Sequence, residues 1–250
     1  MAVILNETKQ AESIIQNGTI GNKPASTLFL LGKYYKQKTE FDQQQIFCTL
    51  NSFMHQHYPN YNPALWENLI EDICKKANKY PLRELDFIGI TQSELDAIAT
   101  ADSLKYQQLL FTMLCYAKLY NMISPDNNGW VNASIPEIYR TSRVIVKYKN
   151  DKFLYLHDLE TAGLISFSCK NDNLNIRINF TDMLGETVLK ITDLREPGYE
   201  YLNYIGAERF IRCLKCGRLV RRSGTNTRYC PSCKKEKRLE EKRTWWKTHH

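Results

Sequence analysis

At 250 residues, 43% of them hydrophobic, and with a formal charge of +7, the chain is long enough to bury two or three small cores. It has no run approaching 18 apolar residues, which excludes a membrane-spanning helix. The charge is uneven: between Arg209 and His250 fourteen Lys and Arg stand against three acids, a formal +11, so the preceding 208 residues carry −4.

Residues 1–26 read as a loosely ordered arm, with turn chemistry at Asn17-Gly18 and Gly21-Asn22-Lys23-Pro24. Its apolar run, Ala2 to Leu5, is too short for an export signal, so a reducing cytoplasm is expected and the Asn17-Gly18-Thr19 and Asn132-Ala133-Ser134 patterns carry no glycan. Cys48, Cys74, Cys115 and Cys169 then read as buried free thiols. Residues 27–102 form a helical region. Leu28, Leu31, Tyr34 and Tyr35 share a face of its first helix, and Phe41, Ile46, Phe47, Leu50, Phe53 and Met54 line the second. A third, Ala64 to Lys79, is expected to bury Leu65, Leu69, Ile73 and Cys74. Thr91 with Glu94 three residues on is a capping box that opens a fourth.

Residues 103–185 have the element order of a winged helix. Ser103 to Met122 is an amphipathic helix with Leu109, Leu110, Met113, Leu114, Ala117 and Tyr120 as its stripe, and Val131 adds a short strand. Ser134 and Glu137 frame a second cap, with Pro136 in the first turn of a helix that runs to Arg143. A third helix, Asn150 to Ala162, stops at Gly163, and strands Leu164 to Ser168 and Leu174 to Phe180 make a wing around Lys170-Asn171-Asp172-Asn173. In a helix-turn-helix the start of the third helix reaches the groove, which nominates Lys147, Lys149, Asn150, Lys152 and Tyr155, with Lys170 and Arg177 on the wing. Asp151, Asp158, Glu160 and Asp172 leave that surface nearly neutral, so docking of a protein stays open beside DNA contact.

After a connector, residues 186–208, comes a module at 209–250. Cys213-x-x-Cys216-Gly217 and Cys230-x-x-Cys233 are separated by thirteen residues, the spacing of a closed four-thiolate zinc site. Four thiolates leave no position for water, so the expected zinc is structural and single. A knuckle, a hairpin from Arg218 to Arg228 and a helix bearing the second pair would make a treble clef; a zinc ribbon is the competing form. Zinc with four thiolates offsets two charges, leaving the module near +9. Such a charge on a metal scaffold points to phosphates, with Arg218, Arg221, Arg222, Arg228, Lys234, Lys235 and Arg238 as contacts and Trp245 and Trp246 available for stacking. A solvated basic tail or an acidic protein partner are the plainer readings.

Leu110 to Lys118, Asn128-Gly129-Trp130-Val131-Asn132, Leu156-His157-Asp158-Leu159 through Gly163-Leu164-Ile165, and the two Cys pairs with Arg228-Tyr229 before the second together resemble little-characterised proteins from phages and prophages of Gram-positive bacteria. The likeness covers roughly residues 80 to 245, and the winged helix is similar to that of phage replication organisers. It implies a phage setting in a host cytoplasm and nucleic acid, and no activity. There is no Gly-rich phosphate loop, no G-x-S-x-G elbow and no H-E-x-x-H, and Arg218 to Arg243 contains no His for a metal nuclease. The sequence therefore predicts a mainly α protein with small β elements, without catalytic residues. It binds nucleic acid, DNA before RNA, in replication or transcription. The alternative is a phage-encoded interaction protein that inhibits a host polymerase or a nucleic-acid-guided defence complex.

Overall fold

The computed structural model describes residues 4–21, 23–148, 150–168 and 175–249. Two compact units divide the chain, Ile4–Asp86 and a second beginning at Phe87. Among the described residues no helix is long and apolar enough to cross a membrane.

The first unit is four helices, α1 (Glu7–Asn17), α2 (Pro24–Lys38), α3 (Gln43–His57) and α4 (Pro63–Lys76). Where turn chemistry predicts a loose arm, α1 forms because the Asn6 side chain accepts from the Lys9 N–H and because Ala11 and Ile14, three apart, enter the core. Gly18 is its left-handed C-cap, so the Asn17-Gly18 signal marks a helix end. Lys33 Nζ donates to the Glu7 carboxylate at 2.5 Å, and the Arg83 N–H donates to it at 2.9 Å, pinning the first turn of α1. On α4 the buried set is Ile70, Ile73 and Cys74, while Leu65 is 79% exposed and Leu69 is also at the surface. Trp66, Ile70, Ile73 and Ala77 repeat at three and four residues and outweigh the two leucines, which rotates the helix away from the expected face. Cys48 is exposed, against the expectation of burial, and Cys169 lies outside the described residues.

The second unit starts before residue 103, because β1 (Ile88–Thr91) and α5 (Gln92–Ala99) belong to it. The Thr91–Glu94 capping box is present in both directions. At the centre stands α6 (Leu104–Ile123), expected to be amphipathic but buried on nearly every side from Gln108 to Leu119. It has no solvent face over that span because α5, α7, α9 and β1 all pack on it. Then come α7 (Ile135–Ser142), capped by Ser134, and α8 (Asp151–Thr161), ended by Gly163 at φ 73°. Next, β2 (Ile165–Phe167) pairs antiparallel with β3 (Ile176–Ile178), with Ile165 opposite Ile178. Val131 donates to the Ile176 carbonyl at 2.9 Å, and Trp130 bridges Arg177, so the expected third strand shrinks to one bridge. Residues 170–173 of the expected wing lie outside the described residues.

Residues 186–208 are no connector. They hold β4 (Thr187–Ile191), antiparallel to β1, and α9 (Pro197–Tyr204), which packs on α6 through Tyr201 and Phe111, ring centroids 5.1 Å apart. Pro197 at N1 starts the helix, and Gly198 lets it approach α7 so closely that a Cβ there would lie 2.0 Å from the Ser142 carbonyl oxygen. Gly198→Ala is expected to cost about 1–3 kcal/mol from this overpacking; chemical denaturation of wild type and variant measures it, and an unchanged midpoint would separate α9 from α7.

Candidate metal centre and its basic helix

The last part of the second unit is built around sulfur. β5 (Phe210–Arg212) and β6 (Leu219–Arg221) pair antiparallel, with Ile211 opposite Val220, and the turn between them carries Cys213 and Cys216. The hairpin expected at Arg218–Arg228 is thus displaced: its strands flank the first Cys pair, and residues 222–229 are loop. Cys213 N–H donates to the Arg218 carbonyl at 2.9 Å and Gly217 N–H to the Cys213 carbonyl at 2.8 Å, a turn that needs Gly217 at φ 69°. Cys230 and Cys233 sit at the start of α10 (Pro231–His249), as expected.

Each cysteine offers one Sγ, and all four lie within 4.8 Å of one another. Cys216 and Cys230 sulfurs are 3.7 Å apart, and no disulfide involves the four. Backbone N–H groups point at them: Cys230 N–H donates to Cys213 Sγ at 3.2 Å and Cys233 N–H to Cys230 Sγ at 3.5 Å. Burial opposes ionisation of Cys213, but the N–H groups of Cys230, Cys216 and Lys215 overcome it and bring the thiol down to about 6. Burial first, then the neighbouring sulfurs, push Cys233 up, and burial pushes Cys216 up. One thiol is thus drawn toward ionisation while its neighbours are held back, an opposition that a cation at the centre would relieve. Three of the sulfurs belong to buried residues and Cys216 is half-buried. The cluster could hold a metal ion.

The cations divide into two populations. The first is already partnered. Arg195 donates to the Cys216 carbonyl at 2.8 Å, and Arg218, Arg212 and Arg221 pair with Glu196, Glu200 and Glu208. Glu196, only 4% exposed, also pairs with Arg143 just past α7, and Arg221 lies over the Tyr199 ring at 5.9 Å. Burial pushes the Glu200 carboxyl up against the pull of Arg212. Arg218 and Arg221, two of the expected phosphate contacts, therefore already face carboxylates of α9 and its flanks. Sequence gives no sign of this, since the partners are 13 to 22 residues away in a segment read as connector.

The second population faces water. Arg222 donates only to the carbonyls of Gly224 and Thr225, and Arg228, Lys234, Lys235 and Arg238 are exposed without an ion pair among the described residues. On α10 Cys233 is the single buried residue. At about 100° per residue, Lys234, Lys235, Arg238, Lys242, Trp245 and Trp246 fall within about 120° of arc. Cys233, Glu236 and Glu240 lie opposite, where Lys215 of the knuckle bridges both acids at 3.2 and 3.4 Å. Arg243 and Lys247 continue that opposite side, whereas Glu241, paired with Lys237 at 3.9 Å, falls at the edge of the cationic arc beside Arg238, Lys242 and Trp245.

The other expected contacts take no part in this stripe. Asn150 stands exposed at the N-cap position of α8 without a side-chain capping hydrogen bond, Lys152 Nζ sits over the Tyr139 ring at 5.2 Å, and Lys149 lies outside the described residues. Around them, beside the exposed Lys147, stand several exposed apolar side chains: Ile145 is 84% exposed, and Tyr148, Phe153 and Leu154 are also open to solvent. Leu156 and Leu159 are buried, as expected. Compared with protein-family models, curated proteins and solved structures, the chain matches none. The functional reading therefore rests on the site itself.

Proposed function

We propose that Cys213, Cys216, Cys230 and Cys233 hold one structural zinc ion and that the scaffold so formed presents a nucleic-acid-binding surface, without catalysis. For zinc, the support is the donor set and its size. Sulfurs about 2.3 Å from a tetrahedral centre stand about 3.8 Å apart, against 3.7 Å between Cys216 and Cys230. A knuckle within a hairpin and a second knuckle on a helix suit a treble clef or a zinc ribbon, with the strands placed around the first pair.

For nucleic acid, the observation that carries the reading is the charge segregation on α10. Two of its three acids, Glu236 and Glu240, are drawn to the knuckle by Lys215, the third, Glu241, pairs with Lys237 at the edge of the outward face, and Lys234, Lys235, Arg238 and Lys242 have no ion pair among the described residues. Arg222 and Arg228 extend that surface. DNA is the first ligand to test, in a phage replication or transcription setting. The order α6, α7, α8, β2, β3, with Trp130 bridged to Arg177, supports a winged helix in the second unit, but α8 offers apolar side chains where base contacts would be needed.

That apolar surface favours a second reading, in which Ile145, Tyr148, Phe153 and Leu154 dock a protein such as a host polymerase or a nucleic-acid-guided defence complex while α10 touches its nucleic acid. Affinity for mixed-sequence DNA measured at rising salt tests the first reading. A steep loss is expected, with the log–log slope falling by about 0.9 for each phosphate contact removed when Lys234, Arg238 and Lys242 become Ala. Arg218→Ala and Arg221→Ala are expected to leave the slope unchanged. No binding in low salt, with retention of a host protein that depends on Phe153 and Leu154, would transfer the function to the second reading.

A further inference from the structure

We propose that the outward face of α10 binds single-stranded nucleic acid, its cations on phosphates and Trp245 and Trp246 on unpaired bases. This rests on the nucleic-acid reading above and adds the strandedness of the ligand.

Trp245 and Trp246 are 52% and 57% exposed near the end of a helix whose single buried residue is Cys233. The two adjacent indoles, half open to water, are not among the residues of the metal module's small core, which is Cys213, Val220, Cys230 and Cys233 with Ile211, Cys216 and Tyr229 around it. Both indoles share the arc of Lys234, Arg238 and Lys242, which interleaves flat rings with cations. Their planes stand at 86° with centroids 5.5 Å apart, so they present two stacking directions. Trp245 already accepts a flat partner, the His249 ring, at 4.6 Å and 17°.

A duplex hides the faces of its bases inside the stack and offers phosphates and groove edges, for which the cations alone suffice. A single strand offers a π-face at every nucleotide, and aromatic side chains on a basic track are the sequence-tolerant way to hold it. The stripe from Lys234 to Trp246 is about 18 Å long, room for several nucleotides. At its other end a cleft whose lining includes Asn226, Arg228, Tyr229 and Lys234 prolongs the track. An anionic membrane would need an apolar face to enter, and α10 has none beyond Leu239 and the two indoles.

The zinc-loaded full chain is titrated into labelled oligo-dT, oligo-rU and a mixed-sequence duplex of equal length, in low salt, with anisotropy as the readout. Single strands are expected to bind about tenfold more tightly than the duplex, with oligo-dT against oligo-rU deciding whether DNA or RNA is the source. Trp245→Ala with Trp246→Ala should weaken single-strand binding by roughly tenfold per indole and duplex binding little. Trp245→Phe with Trp246→Phe should keep most of it, which guards against a folding defect. A preference for duplex, equal losses on both forms, or equally tight binding to phosphatidylserine vesicles would overturn the proposal while leaving the cationic surface standing. Failure of all nucleic acids to bind would remove both readings.

Discussion

With zinc in the proposed four-cysteine site, replacing Cys230 by Ser, or stripping the metal with a chelator, is expected to unfold residues 209–249 and leave the two cores before them folded. The size of the effect follows from how little else holds the module. Its apolar centre consists of Val220 and four cysteines with Ile211 and Tyr229 at the edge, far below what a self-sufficient domain buries. Metal binding by a closed thiolate shell supplies about 10–16 kcal/mol at neutral pH, and in such modules that is folding free energy. Without it, α10 is a 19-residue helix with one buried side chain, and an isolated helix of that length is marginal in water. The contacts to α9 cannot substitute, because partly exposed ion pairs such as Arg212–Glu200 and Arg221–Glu208 are worth about 1 kcal/mol or less each. Trypsin should then cut among Lys234 to Arg243 while the rest of the chain resists, and a zinc assay should read about one ion per wild-type chain and none in Cys230→Ser. Loss of structure throughout the chain would mean that Arg195 and Glu196 make the module integral to the second unit.

Much local chemistry in this chain was readable from sequence where it was carried by neighbours a few residues apart, although the Asn6 cap of α1 was missed and its Gly18 end was read as a turn of a loose arm. The two C-x-x-C pairs, the Thr91–Glu94 box, Ser134 at the start of α7 and Gly163 past the end of α8 are all such cases. Much of what escaped depends on partners far away. The burial of α6 on nearly all sides is decided in part by β1 and α9, which precede and follow it far apart in the sequence, so an apolar stripe was visible and its encirclement was not. Residues 186–208 lack strong periodicity, yet Ile191, Leu194, Tyr201 and Leu202 are core and Glu196 anchors three elements. For the same reason formal charge overstated the basic surface. Arg212, Arg218 and Arg221 count fully in the sequence but spend their charge on acids of the body, whereas the cations of α10 retain theirs.

Lys118→Met is expected to destabilise the second unit by about 3–5 kcal/mol, the cost of leaving a buried charge without its partner. Lys118 is 4% exposed and Glu94 fully buried. The ammonium donates to both Glu94 carboxylate oxygens at 2.8 Å and to the Asp182 carbonyl at 2.6 Å. Glu94 in turn accepts from the backbone N–H of Thr91 at 2.9 Å and of Asp182 at 2.8 Å. One ion pair thus fastens the start of α5, the middle of α6 and the chain entering β4, the strand that leads to the Asp193–Glu200 carboxylates on which the metal module sits. Methionine keeps the length and apolar volume of lysine, so the loss isolates the charge from packing. Adding Glu94→Gln should recover much of the stability, because a neutral amide can still accept from Thr91 while no unpaired charge stays inside. Denaturant titration with hydrogen exchange read at the α6 amides measures both. A loss under about 1 kcal/mol for Lys118→Met, or no recovery in the double variant, would show that Glu94 reaches water in solution and that α5 and β4 are held by apolar contacts alone.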